Sequence, residues 1–151
     1  MQITKEMILE ANSYVTIAEK EYLANIIAEA SIKENENGTF YERFAMKVMQ
    51  EGMFFLLAYL KIPVEVKEDK SAQEQYDEFF KDNIFNQIER LKTDNEIKAK
   101  IFDILFDYKE FCRMVDKEIE RILKEKNDLI LKTKNLLAEH PEIKQKIEGT
   151  K

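Results

Sequence analysis

The chain has 151 residues, 44% of them hydrophobic and 36% charged, with a net charge of −6. That balance excludes disordered and membrane-spanning compositions, and the length suits one domain hiding roughly 70% of its unfolded surface. Three Gly and two Pro supply too few turns for a many-stranded sheet or barrel. The expected fold is all-α, a single-domain helical bundle of about five helices with a long C-terminal helix.

In chain order, Thr4 ahead of Met7, Ile8 and Ala11 predicts a short first helix near 5–13. Four capping boxes follow, each a Ser or Thr with Glu three residues later: Thr16 and Glu19, Thr39 and Glu42, Ser71 and Glu74, Thr93 and Glu96. In such a box each side chain can satisfy a free backbone amide at a helix start. They predict helices over 17–34, 40–61, 72–92 and about 95–139. Asn35 to Gly38 is expected to turn the chain after the second helix, and Pro63 to close the third. Val64 to Val66 is a short extended stretch ahead of a charged loop, Lys67 to Lys70. Pro141 ends the long helix and opens a terminal turn to Ile147.

The apolar positions say what each helix buries. Leu23, Ile26, Ile27 and Ala30 share a face of the second helix, and Tyr76, Phe80, Ile84, Ile88 and Leu91 a face of the fourth; Phe85 falls toward the charged side. Met46, Met49 and Met53 form a methionine stripe that Leu56 and Leu60 continue, which reads as core packing, and the second half of that helix is apolar all round. The long helix carries a seam through Ile97, Ile101, Ile104, Tyr108, Phe111, Val115, Ile119, Ile122, Leu129 and Leu136. Up to Val115 it is widened by Leu105 and Cys112, with Phe102 and Phe106 as a second face for packing. Beyond Ile119 it narrows, with Lys126 and Thr133 interrupting. A helix of 45 residues spans about 67 Å, so it either projects beyond the bundle or breaks near Asn127 and Asp128. The division expected is a bundle core over 1–126 and a C-terminal extension over 127–151.

Chemistry-bearing motifs are sparse. His140 is the single histidine, which defeats a dinuclear carboxylate site of the Glu-x-x-His type and zinc sites built on His and Cys. It reads as an exposed helix-end residue. Cys112 lies beside the seam as a small buried hydrophobe without a neighbouring His to activate it. Neither a phosphate-binding loop nor a dinucleotide fingerprint can be written around Gly38 or Gly52. Asp103 with Asp107, and Glu78 with Asp82, are spaced to share a helical face and read as solvated charge. No catalytic residue, metal ligand or cofactor is assigned.

The start, Met1 to Glu10, has no basic segment followed by an apolar one, and the most apolar run, Met53 to Leu60, has eight residues against the roughly 20 of a spanning helix. Together with the lone cysteine this suggests a cytoplasmic or intracellular protein with no membrane partner. Charge is uneven: residues 117–151 hold nine basic and seven acidic side chains, leaving −8 for residues 1–116. Acidic residues interleave with the basic ones in the tail and no aromatic platform accompanies them, which argues against nucleic acid.

The function expected is therefore non-enzymatic: a helical protein–protein interaction protein, adaptor or structural, of a kind that suits a phage or mobile element. Its partner, another protein or a second copy in a homo-oligomer, is expected on the C-terminal helix at Ile119, Ile122, Leu123, Leu129, Ile130, Leu136 and Leu137. An alternative is an acidic-surface inhibitor or regulator of a nucleic-acid-binding protein, using Glu65, Glu68, Asp69, Glu74, Asp77, Glu78, Asp82 and Glu89, and requiring those carboxylates to form one unpaired face. A carboxylate and metal-dependent enzyme is a further alternative that needs at least three inward acidic groups in one pocket.

Overall fold

The computed structural model describes residues 1–149, the side chains at 144 and 147–149 excepted. The fold is an all-α bundle carrying one small hairpin. Helix α1 spans Lys5–Glu10 and α2 Ile17–Ala30; Thr4 and Thr16 cap them by accepting from the amides of Met7 and Glu19. Strands β1, Ile32–Glu34, and β2, Phe40–Glu42, then pair antiparallel with Lys33 opposite Tyr41. Helix α3 runs Phe44–Phe54 and continues as a π-helical turn over Phe55–Tyr59. Helices α4, Ala72–Phe80, and α5, Ile84–Arg90, precede α6, Asn95–Glu139, and α7, Pro141–Gly149.

Three boundaries depart from expectation. The second helix stops at Ala30 because the chain turns back on itself: Asn35 accepts from the Gly38 amide at 3.0 Å, and Gly38 takes the left-handed conformation at φ +86°. Thr39 therefore serves the hairpin turn, donating to Asn37 Oδ1 at 2.7 Å, and it caps no helix; α3 begins after Arg43. The helix expected over 72–92 is broken at Asn83, whose left-handed φ of +54° restarts the helix on a new heading. Rotated in this way, Phe85 meets the rings of Phe55, Phe80 and Tyr108.

Helix α6 is the spine. Lys20 bonds Asp107 and Asn25 bonds Glu118, so α2 runs parallel to α6. Lys47 pairs with Asp116, Phe54 stacks on Phe111 at 3.8 Å between ring centroids and Tyr59 bonds Asp107, so α3 runs antiparallel to it. The buried core follows this seam: Ile97, Ile101, Ile104, Phe111, Val115, Ile119 and Ile122 of α6 against Ile8, Ala24, Ile27, Met49, Phe54, Phe55 and Leu56. Burying each large side chain contributes roughly 1.5–3 kcal/mol. Gly52 lets α4 close on α3, since a Cβ there would collide with the Phe80 ring.

Phe102 and Phe106 correct another expectation. They stack on each other with centroids 6.0 Å apart but are 66% and 58% exposed, and no second packed face forms. Each lies about 200° around the helix from Ile104, whereas α2 and α3 pack on the seam side.

Candidate functional site

The distal part of α6 is where the sequence places the partner surface. The helix is continuous through Asn127 and Asp128 and ends at His140. Ile119 and Ile122 are buried in the chain's own core and Leu123 packs half-buried against it, so these three positions are already occupied. The core reaches one turn further along α6 than the narrowing of the seam at Ile119 suggests, because α2 and the hairpin still lie alongside.

The hairpin marks the edge of the body. Asn127 Oδ1 accepts from the Phe40 amide at 3.0 Å and its Nδ2 donates to the Phe40 carbonyl at 3.4 Å, satisfying both backbone groups of a strand residue. The Lys126 ammonium sits 4.8 Å from the centre of the Phe40 ring, a cation–π contact. Lys126 thus interrupts the seam without wasting its charge. Thr133 returns its hydroxyl to the Leu129 carbonyl at 2.9 Å and so hides its polar group within the helix.

Past this clamp the apolar series goes on uncovered. Ile122, Leu129 and Leu136 recur every seven residues, as do Leu123, Ile130 and Leu137, the spacing of a coiled-coil seam. Ile122 is 4% exposed, but Leu129 is 65% and Leu136 53% exposed. Ile130 and Leu137 are half-buried. Lys124, Lys132 and Lys134 are exposed around this arm. His140 caps the helix by donating its amide to the Leu136 carbonyl, and its exposed imidazole lies 3.4 Å from Glu142. The final residues of the expected 127–151 extension, 150 and 151, lie outside the described residues.

The acidic stretch is not one unpaired face. Glu78 is held by Lys70 at 2.6 Å and Lys67 at 3.3 Å, which pulls its carboxyl below the usual range. Asp82 pairs with the amino group of Met1, Glu89 with Lys92 at 2.8 Å, and Glu74 accepts from the Ser71 hydroxyl at 3.1 Å. Glu65, Glu68 and Asp69 lie exposed in the loop before α4, and Asp77 lines a shallow groove with Phe44 and Tyr76. The condition for an acidic docking face is not met.

No protein-family model, curated protein or solved structure matches the chain.

Two buried polar clusters escaped the sequence reading. Asp107, paired there with Asp103 as solvated charge, is buried; it accepts from Lys20 Nζ at 2.7 Å, Tyr59 Oη at 2.6 Å and the Val15 amide at 3.0 Å. Burial pushes its carboxyl up, but these three donors together outweigh burial and hold it below the usual range. The signal lay in the spacing: 104, 107 and 111 are seam steps of three and four, so Asp107 occupies a core position. Glu51 is buried on α3 beside Cys112, whose thiol burial pushes up to about 12 and so keeps protonated and weakly nucleophilic at neutral pH. Among the described residues no group of three or more His, Cys, Asp or Glu could hold a metal ion, and no helix is long and apolar enough to cross a membrane. An open apolar groove of about 370 Å³ lies between α2 and α3, lined by Leu23, Ile27, Met53, Phe54 and Leu57 among others.

Proposed function

We propose that this chain is a non-enzymatic interaction protein, adaptor or structural, that docks a partner helix along the distal arm of α6. One observation carries the reading: the heptad series that fills the core at Ile122 continues on the same helix to Leu129 and Leu136, where it lies open to solvent. Burying those two leucines on a partner would contribute roughly 1.5–3 kcal/mol each, and a long helix extending beyond its bundle presents them at little cost to the fold. Lys132 and Lys134 on the arm favour a partner helix with acidic flanks, supplied by a second copy or by a different protein. An intracellular setting suits the single thiol of Cys112, and the small size and Lys, Glu and Ile-rich composition suit a phage or mobile-element protein.

The test is the intact mass of the full chain, purified from its source with whatever accompanies it, beside the Leu129→Glu/Leu136→Glu variant. A complex in the first that is lost in the second supports the reading, with the body's melting temperature unchanged. A strictly monomeric full chain at high concentration, with no companion and no change in stability when cut after Asp128, removes it.

A further inference from the structure

The α3–α6 interface holds a carboxyl group that neither the core nor the arm explains. Glu51 is 6% exposed, and its Oε2 has no hydrogen-bond partner among the described residues. The titratable groups around it are Lys47 one turn back on α3, Cys112, Tyr108 and Asp116 on α6 and Glu42 on β2, with Tyr76 of α4 next to Tyr108. Lys47 is the one cation in this set, and it is engaged elsewhere. Its Nζ donates to Asp116 Oδ1 at 2.7 Å and lies 3.6 Å from Glu42 Oε1, so a single ammonium ties α3 to both α6 and β2. A neutral carboxyl is tolerable at the Glu51 position, whereas a carboxylate there is costly unless it captures a cation. Burial accordingly raises the Glu51 carboxyl to about 7, against the opposing pull of Lys47 and of the neighbouring Cys112 thiol, with Asp116 and Glu42 adding to the rise.

We propose that Glu51 is a proton-operated selector of the Lys47 pairing: when neutral it leaves Lys47 on Asp116 and Glu42, and when ionised it draws Lys47 to itself and loosens the hairpin from α6. The four-residue spacing along α3 brings the ammonium within reach. Asp116 and Glu42 have side chains 53% and 36% exposed and can be rehydrated when released, which Glu51 cannot. The hairpin holds α6 through Phe40 and Asn127 at the root of the arm, so the exchange sets how firmly the arm is seated. The switch does not depend on what docks there.

The experiment is an NMR titration of the Glu51 carboxyl carbon in the full chain from pH 4.5 to 8.5, with hydrogen exchange of the Phe40 amide followed in parallel. The Glu51 midpoint is expected near 7, and Phe40 protection, corrected for intrinsic exchange, is expected to fall with the same midpoint. At pH 8 the Phe40 amide should exchange about tenfold faster or more in the wild type than in Glu51→Gln, with the two converging at pH 5. A Glu51 midpoint in the ordinary carboxylate range, or Phe40 protection that ignores it, overturns the proposal. The wild-type titration stands without the variant if Glu51→Gln does not fold.

Discussion

At the scale of single residues, Asp107 shows how one buried charge can organise a body. Its three donors come from α2, from the segment ahead of α2 and from the π-helical turn, so the carboxylate fixes the positions of three elements on α6. Removing it would leave the Lys20 ammonium buried without a counter-charge. Asp107→Ala is therefore expected to destabilise by about 3–5 kcal/mol, and Tyr59→Phe, which removes one bond to a charged acceptor, by about 1.5–3 kcal/mol, both read from urea unfolding. The four-residue spacing to Asp103 suggests a solvated pair, while the steps from Ile104 and to Phe111 mark Asp107 as a core position. What the spacing does not name is the cation that makes its burial tolerable, because Lys20 is 87 residues away.

Among the elements, the sequence was clearest where local chemistry acts alone. Thr4, Thr16 and Ser71 cap the helices they announce, because a hydroxyl and an amide three residues on need no help from the rest of the chain. At Thr93 the neighbouring Asp94 competes and wins: it caps α6 by accepting from the Ile97 amide at 3.0 Å and also pairs with Lys5. The hairpin was missed because strands of three residues are too short to show alternation, and because what steadies it is Asn127 on a distant helix. Asn127→Ala removes both bonds to Phe40 and is expected to cost about 1–2 kcal/mol, with a selective loss of amide protection in Ile32–Glu34 and Phe40–Glu42 while the α2–α6 contact persists. Of the expected partner surface, Leu129 and Leu136 are exposed, whereas Ile119 and Ile122 serve the core. A continuous seam does not reveal in one dimension where the neighbouring elements end.

For the molecule as a whole, the two buried carboxyls pull the pH dependence of stability in opposite directions. Asp107 has its folded-state pKa lowered, so its contribution is present above the ordinary Asp range and is lost as pH falls through the folded value. Glu51 has its folded-state pKa raised to about 7, so its contribution is present below the ordinary Glu range and is lost as pH rises toward 7. On these two groups, thermal unfolding of the full chain should thus show a stability maximum at about pH 4–5, between the ordinary Asp and Glu ranges, falling on either side. Glu51→Gln should flatten the alkaline limb, while Asp107→Asn should flatten the acid one.

The placement of the spine after α1 to α5 in the chain also governs when this bundle can fold. Val15, Lys20, Asn25 and Phe40 meet their α6 partners across 92, 87, 93 and 87 residues of sequence, and Tyr59 across 48. Closing such distant contacts slows folding, and synthesis delivers the N-terminal segments first. While a ribosome is still making residues 1–94, α1 to α5 have emerged or are emerging without the helix that buries Phe54, Phe55 and Tyr59. The nascent chain must therefore carry that aromatic surface uncovered until most of α6 has left the exit tunnel, and its folding is a late and largely single event.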